Sequence, residues 1–222
     1  MGIIINPRGT AGSGKTELVR RVLARYGWPG NGEPMERPGR RAPLAWRMPH
    51  PFGLRPLVVL GHYAGTVGGC DTIGRRDGGL AGALDLAGRF AGSGHDVLLE
   101  GLVLSTEVDF TARLAARHPI RILRLATPPE DCVRHLSRRY RRGPAARPGL
   151  TAKVAREHMA VEAACTRLAP HAAVADLPFE AAFTEALSLL GLASTRTGIR
   201  ADGGSRSTGM EVVPDEERRS GR

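Results

Sequence analysis

Gly9, Thr10, Ala11, Gly12, Ser13, Gly14, Lys15 and Thr16 have the residue types and spacing needed to hold a polyphosphate, and they fit G-x-x-x-x-G-K-[ST] without deviation. Glycines let the backbone curl so that successive N–H groups point at phosphate oxygens, and a helix starting there adds its positive dipole end. In that arrangement Lys15 is expected to reach the β- and γ-phosphates of a nucleoside triphosphate, with the Thr16 hydroxyl on Mg²⁺. Only Lys15 and Lys153 are lysines in a chain of 222 residues with 29 glycines. A chance match in such a composition arises at roughly 0.3%. The context agrees, because an apolar run precedes the loop and an amphipathic one follows.

Other candidates lie further along. The apolar run Val97 to Leu99 ends in Glu100 and Gly101, and acids at the carboxyl ends of strands in open α/β sheets face the ligand crevice. Glu100 is therefore expected to organise Mg²⁺ or to accept the proton of an attacking hydroxyl; the alternative is a solvated acid at a strand end. In the glycine-rich stretch from Gly61 to Ile73, Asp71 is a candidate general base or acceptor-hydroxyl ligand, with Thr72 as a hydrogen bonder beside it. Tyr63 could stack on a base, and Arg75 and Arg76 could contact phosphate. The competing reading is a connector with an Asx-type turn. Arg134, Arg138 and Arg142 share one helical face. Arg138 and Arg142 are the preferred pair to stabilise charge on a transferring phosphoryl group, against the alternative of a solvated basic helix end.

Positioning these groups requires a repeating strand–helix pattern. Gly2 to Asn6, Leu57 to Leu60, Val97 to Leu99, Ile120 to Leu125 and Ala172 to Asp176 read as buried strands. Helices are expected over Lys15 to Tyr26, Gly79 to Phe90, Thr106 to Pro119, Pro129 to Tyr140, Thr151 to Leu168 and Phe179 to Leu190. Thr127 to Glu130 reads as a capping box with proline at the first helical position. Strands separated by helices imply an α/β three-layer sandwich around a five-stranded parallel sheet. Residues 1–190 form the catalytic domain, with a Pro/Gly-rich insert or hairpin at 29–56 and an arginine-rich lid at 134–150. The polar, unperiodic residues 194–222 read as a disordered tail.

The formal charge is +10, from 32 basic and 22 acidic residues. Nearly all the basic residues are arginines, and the chain is also rich in Gly, Ala and Pro. The charge therefore suits a polyanionic partner and compositional bias equally. Cys70, Cys132 and Cys165 are odd in number and widely spaced, against a disulfide framework or a structural zinc site. With no basic leader and no membrane-length apolar run, the expectation is a cytoplasmic protein without a membrane partner.

The phosphate loop, the strand ending in Glu100, and Leu125 to Cys132 before an arginine-rich helix resemble the P-loop kinases, a group that includes nucleoside, nucleotide and zeta-toxin-like kinases. Gly61-His62-Tyr63, Gly68 to Ile73 and Leu99 to Leu102 resemble a narrower set, the phage-type 5-hydroxymethyluracil DNA kinases. That resemblance implies ATP and Mg²⁺ as cofactors and transfer of the γ-phosphate to a hydroxyl of a nucleotide-type acceptor in DNA, in a host cytoplasm. The segment after the second strand lacks the Asp-Arg-Tyr pattern of thymidylate kinases. A kinase of free nucleosides or nucleotides, and an ATPase or switch that transfers nothing, stand as alternatives. The absence of Asn-Lys-x-Asp argues against a GTPase.

Overall fold

The structure is a computed structural model that describes residues 1–65, 68–141 and 147–193. Its strands are β1 (Ile4–Arg8), β2 (Glu33–Met35), β3 (Ala45–Met48), β4 (Leu57–Leu60), β5 (Asp96–Leu98), β6 (Ile120–Leu125) and β7 (Ala173–Leu177). Its helices are α1 (Lys15–Arg25), α2 (Gly79–Gly92), α3 (Leu102–Thr106), α4 (Asp109–Ala115), α5 (Pro129–Tyr140), α6 (Arg147–Leu168) and α7 (Phe179–Leu189).

The seven strands among the described residues form one mixed sheet in the order β2-β3-β4-β5-β1-β6-β7. The five-stranded expectation is therefore two strands short. Five strands run parallel, and β2 and β3 add an antiparallel hairpin at the β4 edge. β2 carries Pro34 and is only three residues long, features that suit an edge position and give almost no periodic signal.

The sheet is covered on both faces because alternate strand residues point opposite ways. Ile4, Val58, Leu60, Val97, Ile120 and Ile122 pack with Ala83, Leu84, Leu104, Leu114, Val161 and Leu168 from α2, α3, α4 and α6. Ile5, Leu57, Val59, Leu98 and Leu123 pack with Leu18, Val22, Leu23, Phe183 and Ala186 from α1 and α7. β1 is central, held by β5 on one side and β6 on the other. The loop leaving β1 consequently emerges at the middle of the carboxyl edge, where open α/β sheets bind ligands.

Two local expectations change. Helix formation after β5 begins at Leu102 and breaks before Asp109, giving α3 and α4 in place of one helix from Thr106. Thr127 does not cap α5, whose N-cap is Pro128; its hydroxyl donates instead to the Ser13 carbonyl at 2.9 Å. No described helix is long and apolar enough to cross a membrane. The three cysteines are buried free thiols.

Candidate active site

The phosphate loop joins β1 to α1 through Gly14, whose φ of 101° lies in the left-handed region. A side chain there would be strained and would meet the Phe179 ring at 3.0 Å. Lys15 is 7% exposed and turns back over the loop, its Nζ donating to the carbonyls of Gly9 at 2.7 Å and Thr10 at 3.2 Å. Burial pulls its pKa down, while the Glu100 carboxylate pulls it back up.

Three long-range contacts brace this loop. Arg8, the last residue of β1, is fully buried. It donates to Asn6 Oδ1 at 2.7 Å, the Glu107 carbonyl at 2.5 Å and Thr111 Oγ1 at 2.8 Å, which ties the loop's entry to α3 and α4. Burial lowers its pKa to about 10, so the guanidinium stays charged at neutral pH. From α6, Glu157 Oε2 accepts the Ala11 N–H at 3.1 Å. From α5, His135 Nδ1 donates to the Gly12 carbonyl at 2.9 Å.

Glu100 follows β5 directly beside β1, so its side chain meets the start of α1. Its Oε1 accepts the Thr16 hydroxyl at 3.0 Å, and the residue is only 2% exposed. Burial raises its pKa above the ordinary glutamate value, although the Lys15 charge and the Thr16 bond oppose that shift. The loop that carries Gly69 presses against it. Gly69 has φ 68°, and a Cβ there would lie 2.7 Å from Glu100 Oε1. Only glycine permits that approach.

Asp71 is exposed, and its carboxylate accepts the Leu102 N–H at 2.7 Å and the Val103 N–H at 3.5 Å. It therefore satisfies otherwise unpartnered amides at the start of α3. Thr72 closes its own loop, donating to the Gly69 carbonyl at 2.7 Å and accepting the His62 N–H at 3.1 Å. Tyr63 is 1% exposed within the α1-side core, which removes it from any stacking role on a base. Arg20 of α1 donates to the carbonyls of Tyr63 and Gly65, tying α1 to the residues that follow β4.

One cavity of about 670 Å³ unites these groups, within the roughly 300–1,000 Å³ range of ligand pockets. Gly12, Ser13, Gly14, Lys15 and Thr16 line its floor. Gly68, Asp71, Glu100 and Leu102 line one end, and Ala126, Pro128, Pro178 and Phe179 give the other an apolar character. Gly9 lies outside the lining and acts through its carbonyl on Lys15. Helix α5 contributes His135 and Arg139, whereas Arg138, exposed like both of them, lies outside the cavity. Arg142 and most of the link from α5 to α6 fall outside the described residues. The Arg139 position follows from the buried stripe Cys132, Val133 and Leu136, which continues toward 139 and 140. The contacts from Arg8, Arg20, His135 and Glu157 carry no comparable local signal.

The donor set fits Mg²⁺. Thr16 and Glu100 supply one hydroxyl and one carboxylate, and no cluster of three or more His, Cys, Asp or Glu suited to a metal occurs among the described residues. Mg²⁺ is commonly held this way, by one or two carboxylates with substrate phosphates and water completing the shell.

No protein-family profile matches the chain. A solved gluconokinase from Sinorhizobium meliloti 1021 aligns over 86% of this chain and 93% of its own, with a TM-score of 0.46 and 14% identity. The 5-hmdU DNA kinase of Pseudomonas phage PaMx11 is 39% identical over 155 residues, spanning 68% of this chain and 76% of that protein. At that identity over two thirds of both chains, the protein belongs to the family of the phage 5-hmdU DNA kinase and is a phosphotransferase.

Proposed function

We propose that the protein transfers the γ-phosphate of ATP to the hydroxymethyl oxygen of 5-hydroxymethyluracil within DNA. The observation that carries this reading is the meeting of Asp71 and Glu100 with Lys15 and Thr16 in one cavity, in a chain 39% identical to a DNA kinase.

The apolar end at Pro128, Pro178 and Phe179 suits the nucleobase of ATP, and the loop amides and Lys15 suit its phosphates. Lys15 trades its contacts with the Gly9 and Thr10 carbonyls for phosphate oxygens, a short swing because it already lies over the loop. Thr16 and Glu100 would hold Mg²⁺, which, when bound, neutralises charge between the β- and γ-phosphates. The acceptor hydroxyl enters beside Gly68 and Leu102. Asp71 takes its proton as the oxygen attacks the γ-phosphorus, the bond to the bridging oxygen breaks, and ADP departs with the electron pair. Arg139 faces the charge that builds on the transferring group. Arg20, already bonded to two carbonyls of the acceptor loop, acts as a positioning residue.

The test is an acceptor panel with purified protein, Mg²⁺ and ATP, read by nucleoside mass spectrometry after digestion. Phosphorylated hydroxymethyl-deoxyuridine from modified duplex, with none from thymine duplex, is expected. Equal transfer to free nucleoside and duplex would replace DNA by a small-molecule acceptor. ATP hydrolysis that no acceptor stimulates would remove kinase activity altogether.

A further inference from the structure

We infer that exposed arginines of the β2–β3 turn and of the loop before α2 form a docking rim for the phosphate backbone of double-stranded DNA. The inference rests on the DNA-acceptor reading above and assigns that acceptor a surface.

The antiparallel pairing of β3 with β4 sets Ala45 opposite Leu60, so residues 36–44 stand at the carboxyl edge of the sheet, beside the acceptor loop. Arg40 fixes the turn there. It pairs with Asp77 and donates to the Thr72 carbonyl at 3.2 Å, and Arg37 approaches the same carboxylate at 3.5 Å. Asp77 is thereby neutralised from the hairpin side. What remains outward is Arg41, Arg75 and Arg76, all exposed and making no ion pair among the described residues, with Glu36 and Asp71 as nearby exposed acids. Three solvated guanidinium groups around a braced turn are a footprint for phosphate oxygens, because planar forks bind them bidentately.

The position matches the chemistry. Enzymes that act on a base within an active-site pocket turn it out of the stack, and phosphates held at the cavity mouth would steady the backbone while the base turns in. Arg75 is four residues beyond Asp71, and Thr72, one residue from Asp71, is bonded to Arg40. A backbone held on this rim delivers its flipped base toward Asp71. The opposite wall of the cavity, formed by α5, is left to the triphosphate.

The experiment compares three full-length proteins: wild type, a rim variant (Arg41→Ser, Arg75→Ser, Arg76→Ser) and a control variant (Arg25→Ser, Arg89→Ser, Arg117→Ser). The control removes equal charge near the helix ends at the opposite edge of the sheet. Fluorescence anisotropy with an unmodified duplex is followed from low to physiological salt. The rim variant is expected to bind at least tenfold more weakly, with a salt slope shallower by about 2–3, since each lost phosphate contact removes about 0.9. The KM for modified duplex should rise while that for ATP stays constant, and the control should match wild type. A rim variant that binds and turns over like wild type overturns the rim, as does a control that weakens equally. If wild type phosphorylates modified duplex and the rim variant matches it, the rim alone fails. If wild type phosphorylates only free nucleoside, the DNA reading fails and the rim with it.

Discussion

The base role proposed for Asp71 and its contacts with the start of α3 can be separated by substitution. Its carboxylate accepts the Leu102 N–H at 2.7 Å and the Val103 N–H at 3.5 Å, and it also lines the cavity with Lys15. Asp71→Asn keeps one carbonyl oxygen for Leu102 but cannot take a proton. Loss of a general base costs about 10²–10⁴ in rate, which is about 2.7–5.4 kcal/mol of barrier. Asp71→Ala removes the base and both amide contacts, adding the roughly 1 kcal/mol of a lost helix cap, or about 2–4 °C in Tm for a chain of this size. The assay pairs steady-state transfer to modified duplex with thermal unfolding. Both variants should lose kcat by the same large factor at unchanged KM for ATP, and only the alanine variant should melt earlier. An asparagine variant within about tenfold of wild type would refute the base assignment and leave Asp71 as a cap alone.

Further outcomes follow from the same geometry. Arg139→Ala should lower kcat by roughly 10²-fold, while Arg138→Ala, outside the cavity, should leave it near wild type; the reverse order in steady-state kinetics would contradict the placement of α5. Because burial raises the Glu100 pKa in the metal-free protein, Mg²⁺ affinity should weaken on acidification at a pH above the ordinary glutamate range, and Glu100→Gln should flatten that dependence in a Mg²⁺ titration. The linked stability has the opposite sense. The raised pKa contributes stability below the ordinary value, lost as pH rises through the folded one, so urea midpoints of wild type relative to Glu100→Gln should decline over that window. Burial pushes the Cys132 thiol up to about 11 and raises those of Cys70 and Cys165. A thiol reagent at neutral pH should therefore label the native protein far more slowly than the unfolded chain.

What the sequence discloses follows the range over which each constraint acts. The phosphate loop is local: its glycines, lysine and threonine are consecutive, and the backbone they require is set by the residues themselves. The five parallel strands are legible because each is a short apolar run between helices. β2 is not, since three residues including Pro34 at a sheet edge carry no period. The arginine face of α5 shows the limit of spacing arguments. Four-residue intervals group Arg134 with Arg138, but the roll of the helix is set by Cys132, Val133 and Leu136, and that roll brings Arg139 to the cavity. Tyr63 reads as a stacking aromatic from its neighbours, yet it is sealed against α1 by contacts across the fold. Arg8 and Glu157 reach partners about a hundred or more residues away, where no local pattern can announce them.

In the proposed reaction, Lys15 and the loop amides gather a triphosphate whose terminal phosphoryl group passes to a hydroxymethyl group on a DNA base. The most direct measurement is a single-turnover transfer from ATP labelled at the γ-phosphate to a duplex containing 5-hydroxymethyluracil, by wild type and by Lys15→Ala. Label covalently attached to the modified base with wild type, and a loss of roughly 10²–10³-fold or more in the folded variant, is the predicted result. Label released only as inorganic phosphate, or equal transfer by both proteins, would contradict it.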